Sequence, residues 1–337
     1  MSSFPVTLGV EEEVFVLESD RLLPTLQSLD YLRKLFWSNP RKYTQHTASN
    51  FAKGNDRQEC FMGSVEVATD THESIATLLD DLIERRKEFA KASEGGLVVP
   101  VGALFTLDSP TNTASTHIHV GVPKEERQRV YENLVYFLPV LALAAANSPY
   151  AAGAFWGVSY RMASKGLLGP LREDNEYRFQ DIIISKRLGT IEIRIFDPIP
   201  EIFRLNEILR ALLAIAKYPK HCPLDREFYN KEREDWTRNG ITPFVRKRWE
   251  ELQTIVPFPF ELLENTLSKH LGTIAMNYSI RDAYCEADRI WREPTKVPRT
   301  EKRSSALRIV SGITGYYALR LPYIAYKGYK EWHGKSG

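Results

Sequence analysis

Cysteine is scarce in this sequence, and its distribution excludes several kinds of site. The 337 residues include only Cys60, Cys222 and Cys285, which lie too far apart to form a CxxC pair. A zinc ribbon or a redox pair is therefore not expected. A chain of this length can bury a large core without a disulfide framework, and the N-terminus lacks a signal segment. We therefore expect a reducing, cytoplasmic location.

An excess of charge of either sign is also lacking. The chain has 45 Lys and Arg residues against 43 Asp and Glu residues, a formal net charge of +2. This balance does not favour nucleic acid as a partner, and we interpret the basic clusters at 85–87 and 246–248 as solvated helix faces. The longest apolar stretch, residues 137–158, contains Pro139, Asn147, Ser148 and Pro149, which a membrane span rarely carries. We interpret it as core followed by a turn and expect no membrane partner.

Glycine-rich phosphate loops are missing as well. The sequence contains no P-loop pattern, no GxGxxG and no set of protein-kinase motifs. If the chain binds a nucleotide, metal ions and arginines are expected to hold the phosphates.

The order of predicted elements favours an α+β fold. The predicted strands cover residues 6–17, 60–68, 97–101, 116–122, 182–185 and 190–196. Their connections do not follow a regular strand–helix–strand rhythm, which favours a largely antiparallel sheet over a parallel one.

Helices are predicted from periodicity and end signals. One begins at the acidic segment 70–73 and continues past residue 89, one spans 124–146 with a kink or break at Pro139, and one spans 202–217. The remainder is mainly helical, with a last helix over 304–319. No repeat or linker divides the chain, so we expect a single domain over 1–337, with the sheet in 1–217 and a mainly helical part in 218–337.

Acidic side chains interrupt the first predicted strand. Alternate side chains of a strand share a face, so Glu11 and Glu13 point the same way, about 7 Å apart, and Glu12 points to the other face. Two carboxylates on one face of an apolar strand repel each other unless a positive charge lies between them. A divalent cation would supply that charge, and an exposed edge strand is the alternative.

Two further strands carry side chains of the same kind. A bulge at Gly63 would let Glu59 and Glu66 converge, although Glu59 alone has the character of a surface acid. His117 and His119 share a strand face, and imidazole is a common metal ligand, although such a pair is more often structural.

The last of these segments pairs an acid with an arginine. Glu192 and Arg194 share one face of a strand whose other face is apolar. They would form either a salt bridge or a metal ligand beside a phosphate-binding guanidinium. Four such strands together predict a carboxylate-rich concavity that suits Mg²⁺ or Mn²⁺ better than zinc.

Five separated motifs occur in order along residues 6–217. They are GVEEEVF at 9–15, the segment 59–69, HIHVG at 117–121, ANSPY at 146–150 with GVSYR at 157–161, and GTIEIRIFD at 189–197. Together they resemble the glutamate–cysteine ligase type 2 family, also called the carboxylate–amine ligases. The interval between Glu13 and Glu59 is shorter than the family pattern, and no motif aligns after about residue 220.

The resemblance implies a fold and a set of site residues. The family is similar to glutamine synthetase, which implies a curved, largely antiparallel sheet forming a funnel-like active site, with helices packed outside. ATP and two or three Mg²⁺ or Mn²⁺ ions would meet a substrate carboxylate there. The implied nucleotide-side ligands are Glu11, Glu192 and one of His117 and His119, with His117 favoured. The implied substrate-side ligands are Glu13, Glu59 and Glu66.

The resemblance also implies roles for other polar residues. Arg194 would contact the transferring phosphate, and Arg161 would join it in stabilising the tetrahedral intermediate. Ser159 and Arg161, with Asn147 from the neighbouring motif, would line the substrate pocket.

The implied function is that of an ATP-dependent carbon–nitrogen ligase acting through an acyl phosphate. Its partners would be small amino-acid-like carboxylates and amines, with cysteine as the family default for the amine. Two alternatives stay open: a guanidino-kinase-like phosphotransferase on the same type of sheet, and a non-catalytic binding or regulatory relative. The surface helices are also compatible with a homo-oligomer.

Overall fold

An open antiparallel sheet lies in the first 193 residues. The computed structural model describes residues 4–18, 22–24, 26–43, 46–51, 62–93, 95–109, 112–163, 168–300 and 305–333. The strands are β1 (Thr7–Leu17), β2 (Thr47–Phe51), β3 (Met62–Ala68), β4 (Leu97–Val99), β5 (Thr116–Gly121), β6 (Tyr150–Ala151), β7 (Ala154–Phe155), β8 (Ile182–Ile184) and β9 (Ile191–Ile193).

Seven strands form one sheet, in the order β2-β3-β1-β5-β9-β8, with β4 paired to the end of β1. Strands β6 and β7 form a separate hairpin. Every one of these strand pairs is antiparallel, which confirms the predicted antiparallel sheet in an α+β fold.

Helices surround the sheet and fill the C-terminal part. They are α1 (Gln27–Ser38), α2 (Pro40–Tyr43), α3 (Ile75–Ala92), α4 (Arg127–Ala144), α5 (Tyr160–Ala163), α6 (Ile202–Lys217), α7 (Arg226–Asn239), α8 (Pro243–Gln253), α9 (Glu261–Glu264), α10 (Leu267–Asn277), α11 (Ile280–Arg292) and α12 (Ala306–His333). Short 3₁₀ helices cover Lys124–Glu126 and Glu293–Thr295. Within the described residues, no helix combines the length and apolar character needed to cross a bilayer.

Several predicted helix boundaries were wrong. Helix α3 begins at Ile75, after Ser74, and not at the acidic segment 70–73. The backbone of His72 is instead extended, because its N–H and carbonyl exchange hydrogen bonds with Leu8 of β1. Helix α4 continues through Pro139 without a break, so a kink there stays a prediction, and α12 extends to His333, well beyond the predicted end at 319.

One face of the sheet is apolar. Val10 of β1, Ile118 and Val120 of β5, and Ile191 and Ile193 of β9 share a buried cluster with side chains of α4 and α6. Helix α4 is buried along most of its length, as predicted for the stretch interpreted as core. Removing these side chains from water is the main favourable contribution to the fold.

A charged pair lies within the core on this side of the sheet. Glu12 is 1% exposed and accepts hydrogen bonds from Arg86 Nε at 3.0 Å and Nη2 at 2.5 Å. Arg86 also donates to the carbonyls of Ile199 and Pro200, and Trp291 Nε1 donates to Glu12 at 3.0 Å. The basic cluster at 85–87 is therefore not a solvated face, since its two arginines are buried. A buried charge is tolerated when it is paired and hydrogen-bonded in this way.

Further buried polar contacts join the C-terminal helices to the sheet region. Asp288 of α11 accepts a hydrogen bond from the N–H of Val98 in β4 at 2.8 Å. Arg233 of α7 donates to Asp181, just before β8, from Nε at 2.6 Å and from Nη2 at 2.8 Å. The helices after residue 217 thus supply hydrogen-bond partners to polar groups in the sheet and beside it.

Replacing Arg86 by Met is expected to lower the free energy of unfolding by about 3–5 kcal/mol, because Glu12 would stay buried without its cation. The double variant Glu12→Leu/Arg86→Met should recover part of this loss, since it removes the unpaired charge but leaves the Ile199 and Pro200 carbonyls and the Trp291 N–H without these partners. Urea unfolding followed by circular dichroism measures both effects.

The matched control for this experiment is Lys87→Ala. Lys87 neighbours Arg86 on α3 but is 41% exposed in its ion pair with Glu84, so its loss should cost at most about 0.5 kcal/mol. A loss for Arg86→Met no larger than that of the control would contradict the role assigned to the buried pair.

Candidate active site

The strand registers gather most of the predicted ligands on one face of the sheet. Three directly opposite pairs lie there: Glu11 with His117, Glu13 with Glu66, and His119 with Glu192. Directly opposite residues on one face have Cβ atoms about 4.5–5.5 Å apart, so their side chains interact. The opposite side is the apolar face, and Glu12 points into it, as the strand alternation predicted.

Three of these residues form a group with the dimensions of a metal site. Glu11, His117 and Glu192 each offer one ligand atom, and these atoms lie within 4.8 Å of one another. His117 Nδ1 is 3.4 Å from Glu11 Oε2 and 4.0 Å from Glu192 Oε1. Two carboxylates and one imidazole are a donor set that accepts Mg²⁺ or Mn²⁺.

The second histidine lies beside this group. His119 Nε2 is 3.4 Å from Glu11 Oε1, and its Nδ1 is 3.1 Å from the Thr190 hydroxyl. Both histidines are therefore within reach of Glu11, and which of them binds a metal stays open from these distances alone.

The carboxylates of this face influence each other's protonation. Burial raises the pKa of Glu66 to about 8, and the negative charges of Glu11 and Glu13 add to that rise. Burial would also raise the pKa of Glu11, but its hydrogen bonds with His117 and His119 hold that pKa well below its ordinary value. Crowded carboxylates of this kind fit a divalent cation, which would offset their mutual repulsion.

Arg194 stands beside Glu192 at the end of β9. Its Nη1 forms an ion pair with Glu192 Oε1, and the arginine side chain is 15% exposed. The strand is shorter than the predicted 190–196, because the N–H groups of Arg194 and Ile195 both donate to the Asp181 carbonyl, an irregularity that ends the ladder.

Two of the residues predicted to line a substrate pocket belong to a buried network around Asp197. The Asn147 N–H and the hydroxyls of Ser148 and Ser159 donate to Asp197 Oδ2 at 2.8, 3.1 and 2.9 Å. The Asn147 amide nitrogen also donates to the carbonyls of Pro100 and Pro198. These contacts hold the chain just after β9, and a direct contact of Asn147 or Ser159 with substrate stays a prediction.

Arg161, the third predicted pocket residue, has a similar position. It is 5% exposed and donates to the carbonyls of Arg194, Ile195 and Phe196 at 2.9, 2.7 and 3.2 Å. Arg161 thus fixes the backbone that carries Arg194. Its predicted catalytic contact with the substrate is not tested by these distances.

The sequence analysis did not predict two hydroxyl groups of the site, and one of its predicted ligands cannot be located. Glu59 lies outside the described residues. Ser115 contacts both Glu13 and His117, and Thr190 contacts His119, yet neither was predicted. The signal was present, because Ser115 lies two residues before His117, at the spacing that places strand side chains on one face.

Comparisons with known proteins agree with the motifs. No family model matches the chain. A candidate glutamate–cysteine ligase 2-1 from Nocardioides sp. (strain ATCC BAA-499 / JS614) is 27% identical in an alignment 173 residues long, and the match covers 43% of this chain and 44% of that protein. The predicted resemblance to the glutamate–cysteine ligase type 2 family is confirmed. The match spans less than half the length of this curated relative.

Solved structures share the fold. A glutamate–cysteine ligase from Francisella tularensis, in complex with AMP, aligns with a TM-score of 0.60 over 96% of this chain and 95% of its own, at 9% identity. A bifunctional glutathione synthetase from Pasteurella multocida aligns with a TM-score of 0.60 over 86% of this chain and 52% of its own, at 11% identity. At these identities the likeness establishes the fold alone.

In metal-free protein, Glu66 should make the free energy of unfolding fall as the pH rises. Its folded-state pKa of about 8 lies above the ordinary value of 4.5, so between these values the folded state holds a proton that the unfolded state has lost. The stabilisation is complete below the lower value and is lost as the pH rises through the upper one. In Glu66→Gln this dependence should be absent.

Urea unfolding in EDTA at pH values from about 5 to 9 measures this difference. Glu73→Gln, at an exposed acid, is the control and should keep the wild-type slope. Parallel pH profiles for wild type and Glu66→Gln would refute the prediction.

Proposed function

We propose that this protein is an ATP-dependent carboxylate–amine ligase that forms an amide bond through an acyl phosphate. The observation that carries the proposal is the group of Glu11, His117 and Glu192 on one sheet face, with Arg194 beside it. The family resemblance and the ligase folds among the solved structures support it.

Two groups of ligands on this face would hold two metal ions. Glu11, His117 and Glu192 would hold the nucleotide-side ion, and Glu13 and Glu66, with the predicted Glu59, would hold the substrate-side ion. Ions bound there would neutralise the negative charge of the phosphate oxygens and of the substrate carboxylate. The raised pKa of Glu66 fits this arrangement, because a nearby cation would favour its ionised form.

Arg194 is the residue best placed to contact the transferring phosphoryl group. Its Nη1 is held by Glu192, and its Nε has no hydrogen-bond partner within the described part of the chain. The Nε is a buried donor, so a phosphate oxygen that reached it would supply its missing partner in a planar, charge-assisted contact. The backbone hydrogen bonds from Arg161 would keep this guanidinium in place.

The proposed reaction has two steps. An oxygen of the substrate carboxylate attacks the γ-phosphorus of ATP and ADP leaves, which turns an unreactive carboxylate into an acyl phosphate. The nitrogen of the amine then attacks the acyl carbon, the C–O bond to phosphate breaks, and the amine loses a proton. Arg194 would stabilise the negative oxygens in both steps. Glutamate is the first carboxylate to test, and the amine is to be identified by screening.

Replacing either Glu11 or Glu192 by Gln is expected to weaken Mn²⁺ binding by more than about 100-fold and to slow ADP release by a similar factor. Even residues that only hydrogen-bond to metal ligands contribute about 10- to 100-fold to metal affinity or activity. Mn²⁺ binding is measured by electron paramagnetic resonance. Turnover is measured as ADP release with ATP, Mg²⁺, glutamate and a panel of amines that begins with cysteine.

The matched control is Glu176→Gln. Glu176 is an exposed acid paired with Lys186, so its removal should leave both readouts within about twofold of wild type. Unchanged Mn²⁺ binding in both Glu11→Gln and Glu192→Gln would remove the site assignment.

Product analysis separates the ligase from a phosphotransferase. A ligase releases ADP together with free phosphate and an amide, whereas a phosphotransferase leaves the phosphate on its product. Phosphate retained on the acceptor, or no turnover with any amine in folded, metal-loaded protein, would contradict the proposal.

A further inference from the structure

Helix α12 has one face that packs against the rest of the chain. Gly312 approaches α1 so closely that an added Cβ would lie 2.6 Å from Asp30 Cα. Tyr316 is buried in a cluster that includes Val14 and Val65 of the sheet. Both valines point away from the candidate site, because each lies next to one of its acids on a strand. Helix α12 therefore packs behind the sheet, on the side opposite to that site.

Another face of α12 is exposed and carries no charge. Its side chains follow one another in alternate steps of three and four residues, and we call them the seam: Leu307, Val310, Thr314, Tyr317, Leu321 and Ile324. Apart from Thr314, these are aliphatic or aromatic side chains that are between 36% and 84% exposed. The Thr314 hydroxyl donates to the Val310 carbonyl at 3.0 Å, which leaves its methyl group for the seam. At 3.6 residues per turn, the seam lies roughly 140° around the helix from the face on α1.

The spacing of the seam is typical of helix–helix packing. Apolar residues that are alternately three and four positions apart repeat every 3.5 residues, the period at which two helices stay in contact along their length. A stripe of this kind is narrower than the apolar face of a helix that covers a core or lies on a membrane. The spacing therefore favours another helix as the partner.

The seam is complementary to itself. In an antiparallel pair of α12 helices with a two-fold axis between Thr314 and Tyr317, three kinds of layer form, and each occurs twice. They are Leu307 against Ile324, Val310 against Leu321, and Thr314 against Tyr317. No layer contains a charged residue, so two identical copies would meet without like-charge repulsion.

The second half of α12 has little cover from its own chain. The side chains of Leu321, Pro322, Ile324, Ala325 and Tyr326 are all exposed. A helix without packing partners is only marginally stable in water, so contact with a partner would stabilise these turns. With the small residues beside it, the seam offers on the order of 700 Å² of exposed side-chain surface per copy, near the roughly 800 Å² that each partner buries in a standard interface.

We propose that the seam is a dimer interface, in which α12 pairs antiparallel with α12 of a second copy of this chain. In α12, α1 covers a different side from the seam, so a second α12 can approach without meeting α1. The candidate site of each copy would lie on the other side of its own sheet. The proposal goes beyond the proposed function and does not depend on it.

Sedimentation velocity of the full chain tests the pairing. The wild-type protein, with a monomer mass of 38.7 kDa, should sediment as a dimer at micromolar concentrations. The double variant Val310→Glu/Leu321→Glu would place carboxylates opposite each other in two layers. It should raise the dimer dissociation constant by at least about 100-fold, because buried charges without a counter-ion are strongly unfavourable. Both side chains are exposed in the single chain, so the circular dichroism spectrum should not change.

The matched control is Met276→Glu, which adds the same charge at an exposed apolar side chain of α10 and should leave the dimer intact. A mixture of the single variants Val310→Glu and Leu321→Lys tests the register. Antiparallel pairing would bring the two new charges together in one layer of the mixed dimer. The mixed dimer should therefore form at least about tenfold more tightly than the dimer of either variant alone.

Three results would overturn the proposal: a monomeric wild-type protein, a dimer that persists in Val310→Glu/Leu321→Glu, and a mixed dimer no tighter than those of the single variants. Flotation with phosphatidylserine–phosphatidylcholine vesicles tests the other kind of surface. A monomeric wild-type protein that binds these vesicles, and loses binding in the double variant, would assign the seam to a membrane surface instead. Mn²⁺ binding and ADP release are measured separately, so none of these results bears on the ligase proposal.

Discussion

Strand β1 carries three consecutive glutamates, and its register between β3 and β5 decides which of them reach the candidate site. Side chains alternate with a period of two, so a slip by one residue would send Glu11 and Glu13 into the core and Glu12 onto the site. The buried contact between Glu12 and Arg86 opposes this slip, because Glu12 would lose its guanidinium. The cross-strand pairs of the site all depend on this register.

The sequence was most informative where the rule is local. Alternation along a strand placed Glu11 and Glu13 on one face and Glu12 on the other, and the pairing with His117 and Glu66 follows once the strands are antiparallel. Contacts between residues far apart in the sequence could not be predicted in this way. Arg86 lies 74 residues from Glu12, and a charged cluster on a helix has the same pattern whether it faces solvent or a buried acid. Helix α3 also begins later in the chain than predicted, because backbone hydrogen bonds to Leu8 hold His72 in an extended conformation.

The motifs located the important segments without separating the tasks of their residues. Asn147 and Ser159 were predicted as substrate contacts, whereas their visible hydrogen bonds go to Asp197 and to neighbouring backbone. A loop that must place a charged side chain such as Arg194 beside a group of acids needs supporting hydrogen bonds, and these use the same polar residue types as a binding pocket. The sequence does not separate these two tasks, and a contact of Asn147 or Ser159 with substrate stays a prediction.

Trp291, Asp288 and Arg233 all lie after residue 217, yet their partners Glu12, Val98 and Asp181 belong to the sheet or to the segments beside it. The contacts to Val98 and Asp181 each satisfy a buried polar group, and Trp291 adds a donor to Glu12 beside Arg86. A fragment that ended at residue 217 would therefore retain every described strand. It would lack Asp288 and Arg233, which are hydrogen-bond partners of Val98 and Asp181. The boundary between the sheet-bearing and helical parts separates two kinds of secondary structure, and we infer from these contacts that the two parts fold together.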